Sequence, residues 1–229
     1  KVGAADEALG LNEKALAFLF KLFAEEKDLR WDRLPTFYFR DYDSKVFFTH
    51  HWGLGWATPE GTYMVHEGGA PNFPLAAHEN AHILIGRSWG GSTSFLAEGI
   101  GKYAEAQAED RDKNDRQTID FLKAGKFFPL SELVDANIGA PGLKTDVGYP
   151  AAGSFVGFIV RTRGLKALKE TYVQVAKSED GGKSDAPWQK ALGKSLRTLE
   201  KEWLGGLAKN HPGDAPAIRT YLDRLPEIK

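Results

Sequence analysis

His78-Glu79-Asn80-Ala81-His82 (HENAH, 78–82), followed by FLAEGIGKYAE (95–105), is the stretch that decides how this chain folds. His78 and His82 are four residues apart, so on a helix they project from one face about one turn apart. Two neutral imidazoles held in that way can bind one Zn2+, and Glu79 then lies beside the metal, where a carboxylate can accept a proton from water. A helix over this segment is expected to begin near Pro74, whose ring suits a first helical turn, and to stop at Gly86.

Fifteen residues separate His82 from Glu98, and SWGGSTS (88–94) interrupts the chain between them. That is enough chain to turn and start a second helix, with Ser92, Thr93 or Ser94 as N-cap and Glu98 in its first turns. His78, His82 and Glu98 then form a set of three protein ligands that leaves a fourth position open, the arrangement of a catalytic rather than a structural zinc. Two ordinary core or surface histidines are the bland alternative, and the carboxylate at the right place downstream weighs against it.

The pairing of HENAH with FLAEGIGKY resembles the gluzincin zinc metallopeptidases, the clan of thermolysin and the gluzincin aminopeptidases, and among them the compact peptidase MA-like domains. GYPAAGSFVGFIVRTRGLKALKETY (148–172) and ALGKSLRTLEKEWL (191–204) are similar to later segments of such domains, so the likeness runs over roughly residues 62 to 208. It implies an α+β, thermolysin-like zincin fold: a small N-terminal mixed sheet with the HExxH helix, then a mainly helical C-terminal lobe. It also implies His78, His82 and Glu98 as zinc ligands, Glu79 as general base, and Tyr149 as a phenol donating to the oxyanion that forms in the transition state.

The departures from that pattern bear on specificity. Many thermolysin-like members place an aspartate four residues after the glutamate ligand, where it orients a zinc-bound histidine, and this chain has Lys102 there. The orienting partner must therefore be a backbone carbonyl or a residue such as Glu105. No segment of the kind that binds a substrate's amino terminus in full aminopeptidases is present, so the resemblance implies peptide hydrolysis without implying an aminopeptidase.

Composition agrees with a globular hydrolase. The 229 residues, expected to form one domain (1–86 with the sheet and HExxH helix, 87–229 mainly helical), can bury a sizeable core. Thirty basic and 31 acidic residues are interspersed, which points to neither nucleic acid nor an anionic membrane as partner; a peptide or protein substrate is expected instead. No apolar run approaches the roughly 20 residues of a membrane-spanning helix. With no cysteine, a metal must be held by His, Asp or Glu. A chain starting at Lys1 reads as a trimmed or mature form, hence the expectation of a secreted or bacterial cell-envelope location.

Along the chain, residues 6–28 carry Leu9, Leu16, Leu19, Phe20 and Phe23 at helical spacing. TFYFRDY (36–42) and KVFFTHH (45–51) alternate as a β-hairpin would, with Phe37, Phe39, Phe47, Trp52 and Trp56 expected in core and sheet packing. GTYMVHEGG (61–69) is a third strand; the resemblance makes it the edge on which an extended substrate pairs, so that Tyr63 and His66 would contact substrate. Ala97, Gly101, Ala104 and Ala108 form a small-residue stripe suited to close helix packing. AEDRDKNDRQ (108–117) reads as a solvated helix end and loop. ANIGAPGLKTDVG (136–148) reads as a loop leading directly into Tyr149, residues 151–162 as a buried helix, and SEDGGKSDAP (178–187) as a flexible linker. Helices are expected near 187–192, 195–208 and 214–223. His50 and His51 are weaker ligand candidates, His211 a surface residue, and Asp146 and Arg161 possible substrate contacts near Tyr149.

The expected activity is zinc-dependent hydrolysis of peptide bonds. A binding or scaffold module that retains the same fold, and a zinc hydrolase acting on a non-peptide amide, are the alternatives. A purely structural zinc site gains nothing from Glu79, which disfavours the first.

Overall fold

The computed structural model describes every residue except 1, 32, 34, 66–71, 140 and 226–229, with the side chains of 2–5 also left out. The chain is mixed α+β: one three-stranded sheet near the N-terminus and a helical remainder. It forms two compact units, the first of Lys1–Gly90 with Tyr103–Arg111, the second of Gly91–Lys102 with Asp112–Lys229.

The first unit opens with helix α1 (Val2–Leu22), which packs on helix α3 (Phe73–Trp89). Strands β1 (Thr36–Phe39), β2 (Gly55–Thr58) and β3 (Gly61–Val65) form a sheet in the order β1-β3-β2, with β1 parallel and β2 antiparallel to β3. Because side chains alternate along a strand, Met64 turns toward the helices and packs with Ala15 and Ala76. Tyr63 turns the other way, its ring stacked on Phe37 at 5.0 Å and close to Trp56 at 5.3 Å. A polar chain crosses the same unit: Asn80 donates to Asn12, Asn12 to Thr36, and Thr62 to Thr36.

Several expectations change here. KVFFTHH is not a strand: helix α2 spans Tyr42–Thr49, with the Asp41 carboxylate accepting from the Ser44 amide at 2.8 Å and His50 closing the helix in the left-handed region at φ 54°. That N-cap outweighs the β-propensity of Val46, Phe47 and Phe48. The second partner of the sheet is β2, from GWAT, a stretch the alternation pattern passes over. Of the aromatic side chains expected in packing, Phe47 and Trp52 are 74% and 70% exposed. In α1, Leu19 and Phe23 are buried as expected, whereas Leu9 and Phe20 face outward and Ala8 and Ala15 take the inner face.

In the second unit the first half of helix α4 (Ser94–Glu109) joins α5 (Lys113–Lys123), α6 (Leu130–Leu133), α7 (Leu143–Ala176), α8 (Ala186–Leu192), α9 (Leu196–Asn210) and α10 (Ala215–Arg224). Helix α7 is the hub, contacting α5, α8 and α9, and it bends at Gly164, whose φ of 82° is outside the helical region. Phe155, fully buried, meets the rings of Phe95, Phe158, Trp188 and Trp203. Gly99 allows α4 to lie against α7; a Cβ there would sit 2.8 Å from Val156 Cγ2 and 2.9 Å from the Ala152 carbonyl oxygen.

Three buried polar side chains tie helices of this unit together. Ser154 donates to Asp115 Oδ1 at 2.5 Å and accepts from the Trp203 indole at 2.9 Å, joining α5, α7 and α9. Arg161 pairs with Asp115 at 3.1 Å. Glu200 accepts from the Leu130 amide and the Tyr221 hydroxyl. Residues 178–187 are not a loose linker: Asp180 accepts from the amides of Gly182 and Ser184, and Trp188 donates to the Gly182 carbonyl. The charged stretch at 108–117 is a helix end and a turn only as far as Asp112, after which α5 begins. The three C-terminal helices lie where their periodicity places them. Among the described residues no helix is long and apolar enough to cross a membrane.

Candidate metal centre

Helix α3 begins one residue before Pro74, with Asn72 as N-cap accepting from the Leu75 amide at 3.0 Å. It runs through Gly86 to Trp89, three residues beyond the expected stop. Trp89 is buried and its ring meets Phe23 edge-on at 6.2 Å, so packing carries the helix past a glycine that costs about 1 kcal/mol of propensity.

His78 and His82 lie on one face as their spacing requires, with ring centroids 4.8 Å apart. His78 is 7% exposed. Its Nδ1 is 3.3 Å from Glu105 Oε2, and donation from Nδ1–H leaves Nε2 as the electron-pair donor. Glu105 is thus the orienting carboxylate that Lys102 cannot be. It stands seven residues after Glu98 on α4, two turns along the same helix face.

His78, His82 and Glu98 each present a ligand atom, all within 4.8 Å of one another. Ligands of a tetrahedral zinc are about 3.4 Å apart, given bonds of about 2.1 Å. His82 and Glu98 are half-exposed, so rotation of their side chains can close the difference. Two imidazoles and one carboxylate, with one imidazole already oriented by a second carboxylate, fit zinc by donor chemistry. Thr93 supplies the carbonyl that accepts the first turn of α4, from the Ala97 amide, which settles the N-cap among the three candidates.

Glu79 is 5% exposed and packs on β2 at Gly55, where an added Cβ would lie 2.0 Å from Oε1. Lys45 is fully buried. Its Nζ donates to Gly53 O at 2.5 Å and His51 O at 3.1 Å, and lies 3.0 Å from His51 Nδ1. Burial lowers the Lys45 ammonium to about 8, while the Glu79 charge acts in the opposite sense. His51 is therefore not a ligand candidate: its Nδ1 also accepts from the Gly53 amide, and its ring stacks on Trp56 at 5.3 Å. His50 is the helix cap of α2.

Helix α7 carries two tyrosines to place. Tyr172, missed in the sequence, is buried; burial and the Glu98 charge push its phenol up to about 12, so it stays protonated at neutral pH. Tyr149 lies half-buried within α7, whose start at Leu143 replaces the loop expected before it.

The substrate-edge expectation changes. β3 is the central strand, paired on both sides, so the backbone at Tyr63 is taken up within the sheet. Tyr63 itself is held between Phe37 and Trp56, and His66 lies outside the described residues. The edge strand packed on α3 is β2.

Comparison of the chain with protein-family models, with curated proteins and with solved structures gave no match, so the site must be read from its own residues.

Proposed function

We propose that this protein is a zinc-dependent metallopeptidase of the gluzincin type with a thermolysin-like catalytic domain. The observation that carries the reading is the convergence of His78, His82 and Glu98 next to a buried acid, Glu79, on the same helix as the two histidines. When bound, zinc supplies a Lewis acid that acidifies water and polarises the scissile carbonyl. His78, His82 and Glu98 would hold it, with Glu105 fixing the His78 tautomer. Glu79 takes the proton of the attacking water and delivers it to the leaving amine. Tyr149 donates a hydrogen bond to the oxygen that gains charge in the tetrahedral transition state, a role a phenol fills without ionising. A buried acid has no part in a purely structural site, which is why the reading is catalytic.

The test is cleavage of a diverse peptide mixture, followed by mass spectrometry, with zinc-loaded wild type beside Glu79→Gln. Cuts made only by the wild type, with one zinc bound to each protein, are the expected result. Equal cutting by both would remove Glu79 as base. No cuts by a zinc-loaded wild type would move the reading to a non-peptide amide or a binding module.

A further inference from the structure

Asn80, in the middle of HENAH, takes no part in the proposed mechanism, yet it is only 1% exposed. At about 100° per residue it lies about 180° round helix α3 from the midpoint of His78 and His82. It therefore stands on the side of the helix away from the imidazoles. Its Nδ2 donates to Asn12 Oδ1 on α1 at 2.7 Å, and Asn12 Nδ2 donates to Thr36 Oγ1 on β1 at 3.1 Å. Thr62 on β3 donates to the same hydroxyl at 3.0 Å. Directed bonds thus lead from the histidine helix through α1 to two strands of the sheet.

Stability alone does not account for this side chain. Asn80 Oδ1 is buried with no hydrogen-bond partner among the described residues, so the amide is desolvated and only partly satisfied. Leucine, an apolar side chain of the same branched shape, would carry no such cost. The contact of α1 with α3 otherwise brings in small apolar groups: Ala15 and Ala76 are fully buried in one cluster with Met64. Apolar contact is non-directional and alanines offer little to interlock, so such a face resists separation more than it resists turning. A buried Asn between helices answers this, as in coiled coils, by giving up stability and fixing register. The metal face has a narrow tolerance. A turn of about 10° moves an atom about 5.5 Å from the helix axis by about 1 Å, whereas metal–ligand distances hold to within about 0.2 Å.

We propose that the Asn80–Asn12 pair is a register pin for the HENAH helix: it fixes how far α3 is turned against α1 and the sheet, and so the direction in which His78 and His82 are presented. What the pin serves rests on the metal reading; the pin itself rests on the fold of the first unit. Asn80 and Asn12 are positioning residues, which act through the helix and touch neither metal nor substrate.

The test replaces both amides at once. In Asn12→Leu/Asn80→Leu no amide is left half-paired, so the melting midpoint of metal-free protein should stay at or above that of wild type. Uniqueness is lost before stability in such cores. The amide resonances of residues 73–89, single in metal-free wild type, should therefore double or broaden in nitrogen–proton correlation spectra of the double variant. Its zinc affinity, measured by competition with a fluorescent chelator, should fall about 10- to 100-fold, the range that follows loss of groups orienting metal ligands. Asn12→Asp, which keeps an acceptor for Asn80 Nδ2, should retain single resonances and wild-type affinity. A double variant with one sharp set of resonances, or with wild-type zinc affinity, would overturn the proposal, and so would an equal loss of affinity in Asn12→Asp. If the double variant does not fold, Asn12→Leu set against Asn12→Asp gives the same readouts, because Asn12 is only half-buried and tolerates exchange. A wild type that binds no zinc counts against the metal reading alone, and the metal-free spectra then decide on the pin.

Discussion

Gly55→Ala tests the placement of Glu79 without touching a metal ligand or an acid. A Cβ built at Gly55 falls 2.0 Å from Glu79 Oε1, 2.5 Å from Cδ and 2.7 Å from Cγ. Real Cβ contacts essentially never come under 3.0 Å, so Oε1 must retreat by at least 3.0 − 2.0 = 1.0 Å. The obstacle is the far end of a flexible side chain, not backbone, and Gly55 is not among the glycines with positive φ. The fold therefore accommodates alanine, and the loss of unfolded-state freedom adds roughly 0.4–1 kcal/mol of stability that offsets the contact. On the proposed mechanism the rate does not escape: a misplacement of about 1 Å in a reacting group costs on the order of 100-fold, or about 2.7 kcal/mol in the barrier. The assay is steady-state cleavage of a peptide found with the mixture above, together with zinc stoichiometry and a thermal melt. The expected outcome is kcat down about 100-fold with zinc content and melting midpoint near wild type. Gly86→Ala is the control: it lies on the same helix as Glu79 with open space around its Cβ, and should stabilise the protein by roughly 0.5–1 kcal/mol with no loss of rate. A folded Gly55→Ala protein with wild-type kcat would refute the idea that Glu79 works from its position against β2.

Three other outcomes are expected. Glu105→Ala removes the acceptor of His78 Nδ1 and should weaken zinc binding about 10- to 100-fold in competition with a fluorescent chelator; an unchanged Kd would deny Glu105 its orienting role. Ser154→Ala strips a partner from both buried Asp115 and buried Trp203 and should cost about 2–3 kcal/mol in urea unfolding, with a shift below about 1 kcal/mol speaking against the α5–α7–α9 network. Asp180 has its carboxyl held down from 3.8 to about 2 by hydrogen bonds to Ser184 and Gly182. A lowered pKa contributes stability that is present above 3.8 and lost as pH falls toward 2, so the melting midpoint of wild type should fall more steeply across that interval than that of Asp180→Asn. Parallel pH profiles would remove Asp180 from the acid response.

What the sequence conveyed follows from how local each signal is. The i, i+4 pair in HENAH and the following FLAEG segment are periodic and short-range, and the structure brings His78, His82 and Glu98 together as those spacings ask. The same holds for the C-terminal helices and for β3. Signals that depend on tertiary context went astray. Val46, Phe47 and Phe48 favour a strand until Asp41 caps a helix, and Gly86 favours a stop until Trp89 finds a buried place. β2 carries two small residues and no alternation, so its identity comes from pairing with β3 rather than from its own composition. That pairing is also what moves β3 from the edge to the centre. Lys45 is the clearest case: nothing in KVFFT announces a buried ammonium, because its acceptors are backbone carbonyls of a turn that exists only in the folded chain.

The order in which these residues are made adds a constraint. The first unit is not one continuous stretch: after Gly90 the chain leaves it and returns only for Tyr103–Arg111, midway along α4. A ribosome therefore releases His78 and His82 well before Glu98, and Glu98 before Glu105. The nascent chain has two imidazoles on a helix but neither the ligand carboxylate nor the orienting partner until the first turns of α4 and then its middle have emerged. A fragment ending at Gly90 would carry HENAH whole and still lack Glu98 and Glu105, two of the groups the proposed metal site requires. In the cell, metal capture on this reading is a late event in synthesis, timed by the arrival of a single helix.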